Sequence, residues 1–166
     1  MTWSTVAELV ANDERSPLPK SEFDDALWIL LQDKIFSIED TSSFPRPVIL
    51  YFASRYVQWD VGNGGFAQAA FNVPEWFELA LEWYRLMGKP SSASLLEEAI
   101  RLFPKEQAEQ EKTRLGDGST IAEVFEHFNA SPMAALDERI VSEDWFVDDE
   151  RVEYVRKNRD AFRRIE

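Results

Sequence analysis

Apolar residues recur along the chain at three- and four-residue spacing, the period of a helix with one buried face. Trp3, Val6, Leu9 and Val10 predict a short first helix, which the polar, proline-bearing run Asn12–Pro19 breaks. Ser21 opens a second, with Asp24 three residues on as a capping-box-like pair. Its buried stripe is Phe23, Leu27, Leu30, Leu31, Ile35 and Ile38, widened by Trp28 and Phe36, and it is expected to end near Asp40. Pro47 suits the first turn of the next helix. Val48 to Val61 is apolar on most faces and lacks period-two alternation, so it reads as the central helix. Its charged exceptions, Arg55 and Asp60, read as solvated helix-end residues, with a partner contact as the alternative.

Three of the six glycines fall in Gly62-Asn63-Gly64-Gly65. Glycine reaches positive φ without steric cost and asparagine tolerates it better than most, so the stretch predicts a tight reversal that ends one buried helix and starts another. Gln68 and Asn72 lie four apart on one helical face, where their amides are expected to bond the exposed backbone of the glycine turn. Phe66 completes this structural motif.

Pro74 opens the next helix, with Glu75 in its first turn. Trp76, Phe77, Ala80, Leu81, Tyr84 and Met87 face inward, and Glu75, Glu78 and Glu82 outward; Trp83 falls toward the polar side and is expected at the core edge. Gly88 is the expected C-cap, followed by Pro90. Ser92 starts a helix with Leu95, Leu96, Ala99, Ile100 and Phe103 inside, bounded by Pro104; Lys105 to Arg114 reads as a solvated helical turn or an exposed loop, closed by Gly116-Asp117-Gly118. Thr120 and Glu123 form a capping box ahead of Ile121, Val124, Phe125 and Phe128. Ser131-Pro132 starts a further helix with Met133, Leu136 and Ile140 inward, Trp145, Phe146 and Val147 pin the following segment, and a terminal helix carries Val152, Tyr154 and Val155. The fold class is therefore all-α, a compact single-domain bundle of roughly seven to nine helices around a central apolar one.

Charge changes the picture from architecture to partners. Eighteen bases against thirty-one acids give −13, distributed as −5 over residues 1–50, −3 over 51–100, −8 over 101–153 and +3 over 154–166. Such a field repels nucleic acid and anionic lipid and attracts basic protein surfaces. The basic end, Arg156, Lys157, Arg159, Arg163 and Arg164, matches the dipole of a helix C-terminus. The longest apolar runs are six residues, Ala26–Leu31 and Val48–Ala53, so no membrane span is expected. Without a basic leader region, a cytoplasmic location is expected.

Candidate chemistry is sparse. The glycine stretch has neither phosphate-loop pattern, and no lysine or arginine lies between Arg55 and Arg85. Absent cysteine excludes disulfides and Cys-ligated zinc. His127, the single histidine, has no nucleophile or ligand set grouped around it and reads as a surface or packing residue. Asp148-Asp149-Glu150 lacks the glycine and alternation of a calcium loop. No catalytic residue, metal or cofactor is expected.

The densest acidic run is Asp137, Glu138, Glu143, Asp144, Asp148, Asp149, Glu150 and Glu153, opposed only by Arg139 and Arg151. Helical acids three and four residues apart stand roughly 4.5–6 Å apart along the axis, against a phosphate every ~3.4 Å along each DNA strand. Glu75/Glu78/Glu82 and Asp149/Glu153 have that spacing and offer a phosphate-like row.

Asp60-Val61-Gly62-Asn63-Gly64-Gly65-Phe66-Ala67-Gln68, with Phe71-Asn72 behind it, resembles the signature of a bacterial family of DNA-mimic proteins of about nineteen kilodaltons, the DMP-nineteen-like domains. Leu95 to Pro104 resembles a second family motif, and Leu136-Asp137-Glu138-Arg139 with the acids after it a third; together they cover residues 22–162, behind an N-terminal helix and linker over 1–20. Ala69-Ala70 depart from the aromatics usual in the family. The resemblance implies an all-α fold and, for function, occupation of the DNA-binding surface of a helix-turn-helix transcription factor. The acids expected to face that basic partner are the eight from Asp137 to Glu153. An acidic immunity-type module that neutralises a basic protein without DNA mimicry is the second reading, and an enzyme of unrecognised type the third.

Overall fold

The computed structural model describes residues 3–35, 37–113, 119–140 and 145–165. Phe36, Gly116-Asp117-Gly118, Glu143 and Asp144, and the side chains of Ile121, Val124 and Phe125, lie outside the described residues. Among the described residues there are nine α-helices and no strand, so the fold is all-α. None of these helices is long and apolar enough to cross a membrane.

The chain divides into two compact units, residues 1–55 with 146–166, and residues 56–145. In the first, α1 (Val6–Arg15) is capped by Thr5, whose side chain accepts from Glu8 N–H, and it runs on past the expected break at Asn12. α2 (Lys20–Gln32) begins on Pro19 with no side-chain cap, and a 3-10 helix at Ile38–Ser43 replaces its expected last turns. α8 (Asp148–Lys157) and α9 (Arg159–Phe162) divide the expected terminal helix at Asn158. α2 packs on α1 and α8, and α9 on α1 and α8.

Two polar residues at the heart of this unit correct the sequence reading. Asp24 is no capping residue: it is buried, and its Oδ1 accepts from Tyr51 Oη at 2.9 Å. Arg55 is not a solvated helix end, since its Nε lies 3.1 Å from Asp24 Oδ2 and its Nη2 2.8 Å from Asp25 Oδ1. The fully buried Arg151 completes the group, 3.7 Å from Asp24 Oδ1 and in contact with Asp148. Burial holds the Asp24 carboxyl above its usual range, against the pull of Arg151 and Arg55. A charge buried in such a position persists only when it is paired.

α3 (Arg46–Asn72) enters the second unit, followed by a 3-10 turn (Pro74–Trp76), α4 (Phe77–Leu86), α5 (Pro90–Thr113), α6 (Ile121–Ala130) and α7 (Ala134–Ile140). Val48 to Ala53 are all buried, as expected of a helix apolar on every face, but Trp59 is half exposed. α4 ends as its sequence predicts. Gly88 takes φ +67°, Lys89 N–H reaches Tyr84 O at 3.0 Å and Gly88 N–H reaches Arg85 O at 3.1 Å, the paired bonds of a Schellman cap. Trp83 is fully buried, with its ring edge-on to Tyr84, because α4 is covered over more of its circumference than one stripe. Tyr84 in turn stacks on Trp145.

α5 does not stop at Pro104. An interior proline loses one backbone bond and costs about 3 kcal/mol. The helix continues because Glu106, two residues on, is fully buried and anchored to His127 and Ser131. The capping box of α6 forms as predicted: Thr120 Oγ1 accepts from Glu123 N–H at 3.2 Å, and Glu123 accepts from Thr120 N–H at 2.7 Å.

Candidate functional site

The glycine stretch is a kink inside α3, not a reversal. Gly62 and Asn63 stay helical; only Gly64 (φ −159°, ψ 24°) and Gly65 (φ 79°, ψ −179°) leave the helix. The Gly65 conformation is open to glycine almost alone. Phe66 starts the helix again, and its N–H is one of the orphan donors of a helix start. Asp137 from α7 supplies the acceptor, Oδ1 at 2.8 Å. A Cβ on Gly65 would overlap the Asp137 carboxylate, and one on Gly64 the Gln68 carboxamide.

Gln68 and Asn72 lock the kink, but through a side chain instead of the backbone expected. Both amides donate to Asp60 Oδ1, at 3.3 and 3.2 Å, tying the helix after the kink to the helix before it. Asp60 is accordingly buried, not solvated. The residues Asp60, Gly64, Gly65, Gln68 and Asn72 thus form one clamp, and the motif is architecture.

The expected acidic site separates into different environments. Asp137 is the helix cap just described; it is half-buried, and burial raises its carboxyl although Phe66 N–H pulls it down. Glu138 is exposed. Along α8, Lys20 Nζ lies 3.2 Å from Asp149 Oδ2 and 3.3 Å from Glu153 Oε1, Arg156 Nη1 lies 3.4 Å from Glu153, and Asp148 contacts Arg151. Hydrogen bonding to Asp149 and Glu153 holds the Lys20 ammonium above its usual range. Glu150 is half-buried. The first half of α8 is therefore substantially neutralised by bases of its own unit. Sequence spacing missed this because Lys20, Arg55 and Arg156 arrive from other elements or other turns. Glu75, Glu78 and Glu82 stand exposed along one line of the Pro74–Leu86 segment.

His127 is a packing histidine and not a surface one: 7 % exposed, with Nε2 2.8 Å from Glu106 Oε1. Ser131 Oγ donates to the other oxygen of Glu106 and accepts from Met133 N–H at 3.0 Å. A nucleophilic serine needs the histidine as its neighbour, oriented by the acid. Here the acid sits between serine and histidine, so neither activates the other, and the trio ties α5 to α6. Among the described residues no group of three or more His, Asp or Glu side chains is placed to hold a metal ion.

These features define an acidic, all-α protein built on a clamped, kinked helix. The chain belongs to the DMP19-like protein family, which matches residues 42–158. The match spans the kinked helix through α8 and is shorter than the 22–162 indicated by the motifs. No curated protein and no solved structure matches the chain.

Proposed function

We propose that this chain is a non-catalytic acidic protein that mimics DNA charge and occupies the basic DNA-binding surface of a partner, a helix-turn-helix regulator being one that fits. The observation that carries the reading is the exposed row Glu75, Glu78 and Glu82 on a rigid helical segment, in a chain of net charge −13. Side chains three and four residues apart on a helix present charge at roughly 4.5 and 6 Å along its axis, close enough to engage bases that otherwise straddle phosphates. Asp149 and Glu153 supply a second row, weakened by Lys20. Membership of the DMP19-like family agrees with this assignment, and the charge gives it a mechanism.

The test is capture of a DNA-binding regulator from lysate at low salt, then challenge with duplex DNA. DNA is expected to displace the captured regulator, because both use one surface. Reversing Glu75, Glu78 and Glu82 to lysine is expected to weaken the complex by at least about 30-fold, since like charges across an interface cost several kcal/mol, with helicity unchanged by circular dichroism. A partner indifferent to DNA returns the acidic interaction module without mimicry.

A further inference from the structure

We propose that the kinked helix carries an arginine anchor at the head of the Glu75–Glu82 row: Trp59 and Glu75, over the buried Asp60, receive one guanidinium of the basic partner surface, the ring stacking on it and the Glu75 carboxylate bonding it. The anchor deepens the role proposed for that row and rests on it, since it fixes which base the partner presents at the row's first acid.

The parts are brought together within the second unit. Trp59 stands 49 % exposed on α3, one residue before Asp60 and three after Tyr56. Helix residues three and four apart are neighbours, so Tyr56 adjoins both Trp59 and Asp60. The Tyr56 ring packs on that of Trp76 with centroids 6.1 Å apart, which sets Glu75, the chain neighbour of Trp76, beside the same turn of α3. Burial first, then the charges of Asp60 and Glu75, hold the Tyr56 phenol above its usual range, so both carboxylates act on one point. Asn72 Nδ2 donates to Asp60 Oδ1 at 3.2 Å and draws the turn that carries the exposed Phe71 against the turn that carries Trp59.

Neither acid has a base. Asp60 is 2 % exposed; its Oδ1 takes the two neutral amides of Gln68 and Asn72, and its Oδ2 accepts no hydrogen bond. Among the described residues no lysine, arginine or histidine pairs with Asp60 or with Glu75. The acids of α8 differ, because Lys20, Arg151 and Arg156 already stand against them. Asp60 Oδ2 is out of a partner's reach, so Asp60 acts through its field, which the apolar surroundings screen poorly, and Glu75 acts by contact.

The chemistry of the spot selects the cation. One reachable carboxylate is too little for a calcium-type site, which takes about six to eight oxygens. An exposed tryptophan beside that carboxylate suits a guanidinium. It is weakly hydrated, stacks on an aromatic face and keeps its fork for the carboxylate, whereas a lysine ammonium holds its water. The clamp at Asp60 fixes the turn that carries Trp59, so little order is lost on binding.

The experiment titrates the full chain with a capped tetra-arginine peptide and its tetra-lysine counterpart at low and high salt, read by calorimetry and by the indole N–H signals in NMR. Tetra-arginine is expected to bind at least about 2-fold tighter than tetra-lysine, the worth of a cation–π contact at an exposed site, and to shift the Trp59 indole. Trp59→Ser is expected to abolish that preference at an unchanged unfolding midpoint, and Trp59→Tyr to keep most of it. Glu75→Gln is expected to weaken both peptides and to lower the dependence on salt. Phe146→Ser, which removes an exposed aromatic next to the acids of α8, is expected to change nothing. The anchor is overturned by equal affinity for the two peptides, by an arginine preference that survives Trp59→Ser, or by no saturable binding of either peptide. The row fails separately, through a captured regulator that is indifferent to Glu78→Lys combined with Glu82→Lys.

Discussion

Gly65→Ala will destabilise the protein by roughly 3–5 kcal/mol. Two costs combine. At φ 79° and ψ −179° the backbone occupies a region that costs a non-glycine residue of order 1–3 kcal/mol. The added Cβ would also stand about 2.7 Å from Asp137 Cγ and force the carboxylate away from Phe66 N–H. Losing a hydrogen bond to a charged acceptor costs about 1.5–3 kcal/mol. Urea unfolding, read as a shift in midpoint at constant slope, measures the sum. Two controls divide it. Asp137→Ala removes the cap alone and should cost about 1–2 kcal/mol. Gly88→Ala meets nothing within 4 Å at φ +67°, so it reports the backbone cost by itself, roughly 1–2 kcal/mol. If Gly65→Ala costs no more than Gly88→Ala, the overlap with Asp137 is not what makes glycine necessary.

Arg151→Met will cost a further roughly 3–5 kcal/mol at neutral pH, the range for removing one partner of a buried ion pair. Methionine fills similar volume, so the loss reports charge: Asp24 stays buried with Arg55 and Tyr51 as its remaining partners. The dependence on pH identifies the group responsible. The folded-state carboxyl of Asp24 is already raised above 3.8, so the native state takes up a proton before the unfolded chain does. Its unfavourable contribution is therefore full at neutral pH and is relieved as pH falls through the folded value toward 3.8. Asp13 behaves oppositely. Burial acts to raise it, but hydrogen bonds from Arg156 and Leu18 N–H outweigh burial and lower it, so its stabilisation is lost only as pH falls below 3.8 through the folded value. Without Arg151 the Asp24 carboxyl rises further, and the deficit of Arg151→Met should shrink between about pH 7 and about pH 4.5. A deficit identical at both values would mean that lost packing, not the stranded carboxylate, sets the cost.

Both predictions rest on groups whose roles are only half visible in the chain's order. Gly65 belongs to a glycine cluster that any reading of the sequence marks as a helix interruption. That the interruption is a kink, with its cap supplied by Asp137 seventy-one residues away, depends on α7 being brought alongside. Asp137 and Glu138 are neighbours in an acidic run, yet one caps a helix and the other is exposed. Among the acids of α8, Asp149 and Glu153 carry the spacing of a charge row, and Lys20 arrives from α2 to neutralise part of it.

Local chemistry determined the helical class of the protein, because three-and-four periodicity, Thr120 with Glu123, Pro47 and the Gly88 cap act within a few residues and need no distant partner. Tertiary structure alone decided what the polar residues do. Asp24, Arg55, Asp60 and Arg151 sit on helices that periodicity locates, and Glu106 on a stretch of α5 that it does not, but in every case a buried charge takes its role from the partner that neutralises it. Those partners lie on other turns or other elements: Tyr51 for Asp24, Gln68 and Asn72 for Asp60, and His127 and Ser131 for Glu106. Periodicity reports which side of a helix leaves water; it carries no information about which side chain waits there.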